Sequence, residues 1–286
     1  MKRLILSGLS VLILLLFSFS AIAEQTAIGK VQTFRGTAVA VDAGQKRLLS
    51  TGDDLFRSET VATGAESFLQ IMFLDGTVLT LDAHTQMVLN DVAYRPGDSE
   101  NRNFDIEMVA GTCRFVTGQI TKHNPDKFKI GSPLGSIGIR GTEGGIAARA
   151  SNAQAFGAGL DAAMASPGSG WNPGAAPEVD QETVAHINGS IRRSMSFTDT
   201  FGNVVSIARG MALDVSASTG AGEPRGIDAS DRESFSAAGF NTSASVPSAF
   251  SSQFSGYDAS PGSGSEVSGG SEGGGGDSGG GDGGHP

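Results

Sequence analysis

The chain has 286 residues, 38% hydrophobic and 17% charged, with a formal net charge of −10 and one cysteine. Its length allows one or two domains with an ordinary apolar core, and its acidity argues against nucleic acid or an anionic membrane surface as partner. A lone cysteine excludes an intramolecular disulfide, so burial of apolar surface must hold the fold together.

The N-terminus reads as an export leader. Lys2 and Arg3 precede an almost wholly apolar run from Leu4 to Phe19, and Ala21-Ile22-Ala23 offers small residues for cleavage. Cleavage after Ala23 leaves no stable membrane span, places the chain in the periplasm or outside the cell, and makes its charge −12 through the loss of Lys2 and Arg3. Residues 24–216 form the expected domain. From Ile28 to Ala147 short apolar runs alternate with glycine, asparagine or aspartate and show no helical period, which predicts an all-β fold of many short strands. Glycines recurring at intervals near ten suggest strands wound into a β-roll or solenoid-like structure, without a strict repeat.

The clearest unit is Phe68–Leu81, where FLQIMFL and TVLTL flank Asp75-Gly76. Two residues that tolerate positive φ close a tight hairpin. Leu69, Ile71 and Phe73 point to one face, with Phe68, Met72 and Leu74 on the other. Gln70 shares the second face, so both faces are largely apolar and the hairpin should be central and covered on both sides. Cys113, in MVAGTCRFVTG, is expected as a buried and inert strand residue.

Residues 148–182 turn to alanine, glycine, proline and serine, which reads as a flexible insertion between two β segments. It carries the sole tryptophan, Trp171, a candidate partner contact whose alternative role is to pin the loop onto the domain. Residues 217–261 read as a Ser/Ala-rich linker with spaced aromatics, Phe235, Phe240, Phe250, Phe254 and Tyr257, of which one or two should dock back. Residues 262–286 read as a Gly-rich acidic tail that lacks the apolar surface to fold.

Catalytic and metal patterns are missing from the sequence. The four histidines lie far apart, no HExxH pair occurs, and the glycine-rich run GSIGIRGTEGG fits neither a dinucleotide nor a phosphate loop. Its Gly135-Ser136-Ile137-Gly138 is not a nucleophile elbow. No enzyme activity, metal or cofactor is therefore expected. Arg140 is read as buried against Glu143 or Asp75, fixing local register.

Three segments in order, TGDDLFRSETVATGAESFLQIMFLDGTVLTL (Thr51 to Leu81), FKIGSPLGSIGIRGTEGGIA (residues 128–147) and TVAHINGSIRRSMSFTDTFGNVVSIARGMALDV (Thr183 to Val215), resemble the FecR family of periplasmic regulatory domains. The resemblance covers most of residues 28–215 and implies a twisted, solenoid-like β structure. It further implies a non-enzymatic binding or signal-relay module in the bacterial cell envelope, with an unknown envelope protein or glycan as partner. Family members that regulate sigma factors carry a cytoplasmic segment before a membrane helix, and only Met1-Lys2-Arg3 precedes the apolar run here. Direct anti-sigma activity is accordingly not expected. The alternative is a structural or secreted surface component displayed or tethered through the Gly-rich tail.

Overall fold

A computed structural model of the chain describes residues 25–98, 100–174, 176–189 and 195–236. The leader, residues 237–261 of the linker and the 262–286 tail lie outside those residues. The N-terminal strands are β1 (Ala27–Arg35), β2 (Ala38–Asp42), β3 (Gln45–Leu48), β4 (Asp54–Phe56) and β5 (Thr60–Thr63). Next come β6 (Phe68–Phe73), β7 (Val78–Leu81), β8 (Gln86–Ala93), the long β9 (Asn103–Val116) and the short helix α1 (Ile120–His123). The chain continues through β10 (Phe128–Ser132), β11 (Gly135–Gly138), β12 (Thr142–Ala150), helix α2 (Ala153–Ala165), β13 (Val179–Gly189), β14 (Met195–Asp199) and β15 (Val204–Ile207). It closes with β16 (Met211–Ser216), β17 (Gly220–Ala221), β18 (Arg225–Gly226) and helix α3 (Ala229–Ser236). The protein is all-β, with few helices, and among the described residues no helix is long and apolar enough to cross a membrane.

The strands sort into two layers that the chain visits in turn. Sheet A runs β4-β1-β6-β7-β9-β12-β13-β16, with β17 and β18 along β16. Sheet B runs β3-β2-β5-β8-β9-β10-β11-β14-β15. One apolar core is shared by both. Leu69, Ile71 and Phe73 of sheet A join Leu89, Phe104 and Ile106 of sheet B, and the Phe73 and Phe104 rings meet edge to face with centroids 5.0 Å apart.

Strand β9 belongs to both sheets. Asn103 to Ala110 pairs with β8, and Gly111 to Val116 pairs with β7 and β12. Gly111 marks the crossing at φ +108°, a conformation that a side chain rarely adopts, and a Cβ there would lie 2.5 Å from Thr85 Cα. Just past it, Cys113 sits opposite Leu81 and Ile146 with no exposure. Burial pushes its thiol up to about 12, so it stays protonated and unreactive.

The expected hairpin forms, with β6 and β7 pairing Leu69 to Leu81 and Met72 to Val78. It lies mid-sheet between β1 and β9, with one face fully buried and the other partly so, since Met72 is buried while Phe68 and Leu74 are half-buried.

Residues 148–182 contain the end of β12, helix α2 and the start of β13. Phe156, Leu160 and Met164 recur every fourth residue along α2 and press on Val39, Val41, Ala62 and Ala110, covering part of the outer face of sheet B. Lys46 donates to the carbonyls of Met164 (3.1 Å) and Ser166 (2.7 Å) at the helix C-terminus, where the dipole favours a cation. Asp161 accepts from the Ala65 amide and lies 2.9 Å from His84 Nε2.

After β16 the chain stays on the domain. Helix α3 places Phe235 on Ala147, Ala185 and Ala212 of sheet A, as one docked aromatic. Gly145 makes that seat, because a Cβ there would overlap the Phe235 ring. Arg225 fixes the helix from the other side, donating to both Asp214 oxygens (2.6 and 3.0 Å) and both Asp231 oxygens (2.6 and 3.0 Å). These bonds hold the Asp214 and Asp231 carboxyls below the usual carboxylate range. Replacing Arg225 with Ala leaves the buried Asp231 without its cation. Residues 222–236 should then be cut early in limited proteolysis, read by mass spectrometry, while the rest of the chain stays resistant.

Candidate functional site

The motif-rich stretch 128–147 builds the middle of both sheets. β10 and β11 form an antiparallel pair through Ile130 and Ile137, and the Ser132-Pro133-Leu134 turn between them leans over the inner face of β13. Along β13, Glu182, Val184 and His186 are all buried, with Val184 in the shared core. Their spacing of two puts all three side chains on one face of the strand. Glu182 is 1% exposed, and its Oε2 accepts from the Leu134 amide at 3.4 Å. Among the described residues its Oε1 and the Nε2 of His186 have no hydrogen-bond partner, while His186 Nδ1 lies 3.0 Å from the Ile207 carbonyl. Burial pushes the Glu182 carboxyl up to about 7, partly offset by bonds from the Ser132 side chain and the Leu134 amide.

The Asp75-Gly76-Thr77 turn is a second construction point. Asp75 accepts from the Thr77 amide (3.0 Å), the Thr77 hydroxyl (2.9 Å) and the Ile120 amide (3.3 Å), while its carbonyl accepts from Gln119 N. The Thr77 hydroxyl in turn accepts from the Gly118 amide at 3.0 Å. The hairpin tip is thereby tied to the chain leaving β9. Burial raises the Asp75 carboxyl, with these bonds opposing the shift.

In Arg140-Gly141-Thr142, Thr142 makes the equivalent tie, since its amide donates to the Thr117 hydroxyl at 2.8 Å and its carbonyl accepts from Thr117 N at 3.1 Å. Arg140 corrects the sequence expectation. It is exposed and not buried, Glu143 bonds to Arg114, and Asp75 accepts from backbone and threonine donors. The pairing follows from the sheet: β9 and β12 are neighbours, with Arg114 opposite Gly145, so Arg114 lies alongside Glu143.

Trp171 is half-buried against the cluster under α2, and its amide donates to Gly44 O at 2.8 Å. A cleft of about 760 Å³ opens where β1 begins and β8 ends, lined by Ile28, Arg57, Tyr94, Arg95 and Asp98 among others. Within it, Arg57 pairs with Asp91 at 2.6 Å, and Asp98 accepts from the amides of Glu100 and Asn101. Among the described residues no three His, Cys, Asp or Glu side chains gather as metal ligands. Sequence reasoning missed Glu182 and Arg225. Their surroundings come from residues 48 positions away in the first case and from a docked helix in the second.

These features define a two-layered β domain whose polar side chains tie turns to strands and which offers surfaces for contact. Residues 59–156 match the model of the FecR protein family, agreeing with the resemblance read from the sequence. The match spans β5 to the start of α2 and includes both threonine ties. No curated protein matches the chain. Among solved structures, two crystal structures of a proposed anti-sigma factor from Parabacteroides distasonis are similar, at 15% and 14% identity with TM-scores of 0.39 and 0.38. Each alignment covers 59% of this chain, and the chain spans 60% of the length of those structures.

Proposed function

We propose that the chain is a non-enzymatic, exported module of FecR type that binds a protein or glycan of the bacterial cell envelope and relays that contact. The observation that carries the reading is the FecR match over residues 59–156, which falls on the strands at the centre of both sheets. Repeated passage of the chain between the two layers supports a solenoid-like description, a rigid frame that presents edges and loops to a partner. The half-exposed indole of Trp171, on the excursion that leaves the sheets, is the contact assigned within this reading. A second reading, a surface component tethered through its tail, draws on the Arg225 and Phe235 anchorage that fixes the chain where it leaves the domain.

The test is capture from envelope extract by the mature chain, whose N-terminus should begin at Glu24. One envelope component should be recovered reproducibly, and less of it with Trp171→Ala. Recovery of a cytoplasmic sigma factor alone would overturn the proposal. Fractionation that finds the protein in the medium or on the cell surface favours the second reading.

A further inference from the structure

We propose that Asn188-Gly189, where β13 ends, is a self-modification site, at which the Gly189 nitrogen displaces the side-chain amide of Asn188 with the buried His186 as base. It is the sole Asn-Gly pair in the chain, and a glycine in second place leaves the attacking nitrogen without a side chain to hinder it. Among the described residues Asn188 is exposed, so water reaches it, and the Gly189 amide donates to Asn188 Oδ1 at 2.8 Å. That bond holds the side-chain carboxamide against the nitrogen with which it would react.

The base comes from the same strand, three residues earlier. His186 is 0% exposed, and its Nδ1 lies 3.0 Å from the Ile207 carbonyl, a group that can only accept. The ring proton of the neutral imidazole therefore sits on Nδ1, and Nε2 is a bare lone pair with no hydrogen-bond partner among the described residues. That nitrogen lies beside Gly189, since a Cβ built there would come 3.2 Å from it. A buried acceptor without a donor is rare, and here it lies next to an amide whose proton must be removed.

Nε2 takes the Gly189 amide proton, the freed nitrogen bonds to Asn188 Cγ, and the C–N bond of the side-chain amide breaks. The proton passes to the departing nitrogen, which leaves as ammonia. Water then opens the five-membered imide at either carbonyl, giving aspartate or isoaspartate, and the formal charge of −10 gains one negative unit. Asn188 sits opposite Glu143, and its carbonyl accepts from the Thr142 hydroxyl. Aspartate places like charges across the β12–β13 pair. Isoaspartate adds a methylene to the backbone of β13 and draws Gly189 out of register with Thr142. Either product loosens the Arg140-Gly141-Thr142 motif where its threonine meets β13.

Peptide mapping by mass spectrometry tests this on the purified chain, held at neutral pH and physiological temperature either native or in denaturing urea. Residue 188 of the native chain should gain the mass shift of deamidation, as aspartate and isoaspartate, ahead of every other asparagine. The chain in urea should react at least about tenfold more slowly, because unfolding takes the base away. His186→Gln should slow the native reaction to the rate seen in urea and leave the rate in urea unchanged. If that variant does not fold, the native-to-urea comparison of the wild-type chain decides alone. A native rate no faster than the rate in urea, or a folded His186→Gln chain that reacts as fast as wild type, would overturn the inference.

Discussion

The wild-type chain should lose stability as pH rises from about 5 to 8, and Glu182→Gln should remove about 3 kcal/mol of that loss. The folded carboxyl sits at about 7, above its ordinary 4.5, so the native state holds a proton that the unfolded chain releases. The stabilising contribution is therefore fully present below 4.5 and is lost as pH rises through 7. Beyond that the native state carries a buried carboxylate whose Oε1 has no donor among the described residues. The groups facing it make little provision for a charge. They are the Ser132 side chain, the Leu134 amide and the Cys113 thiol, which remains neutral across this range. Asp75 shifts in the same direction, so the variant's difference from wild type isolates Glu182. Urea unfolding at pH 5 and pH 8 reads the effect. Equal losses in wild type and Glu182→Gln would show that the carboxyl is hydrated and the assignment mistaken.

Gly111→Ala should cost at least about 3 kcal/mol, combining a backbone conformation that disfavours a side chain with overpacking. The new Cβ would lie 2.5 Å from Thr85 Cα and 2.7 Å from Thr85 Cβ. Rotating a side chain cannot relieve an overlap with Cα, so β8 and β9 must separate at the point where the strand changes sheets. Gly76→Ala, in open space at φ +79°, adds backbone strain without overlap and should cost less. Urea midpoints rank the two. A cost for Gly111→Ala no greater than for Gly76→Ala would mean the crossing relaxes freely.

Much of the β framework was legible because its signals are local. Asp75-Gly76 between alternating apolar runs specifies a hairpin wherever the chain goes next, and the burial of Cys113 follows from its strand setting. Helix α2 was hidden by composition. AQAFGAGLDAAMA reads as a small-residue loop, although Phe156, Leu160 and Met164 already recur at the helical interval. Glu182 gave no signal, because an acid beside Gln181 and Asp180 resembles a solvated strand end until the Ser132–Leu134 turn closes over it. The expected burial of Arg140 failed for a related reason. Which cation reaches Glu143 depends on which strand lies beside β12, and sheet order is a long-range property.

Because one continuous strand is a member of both layers, neither layer can be peeled away while the other keeps its hydrogen bonds. Shearing one sheet past the other would have to break β9 out of its four neighbours, β8, β10, β7 and β12. Force or heat applied at either end of the domain therefore meets a single cooperative unit, and a load taken up at one sheet is passed to the other through covalent backbone.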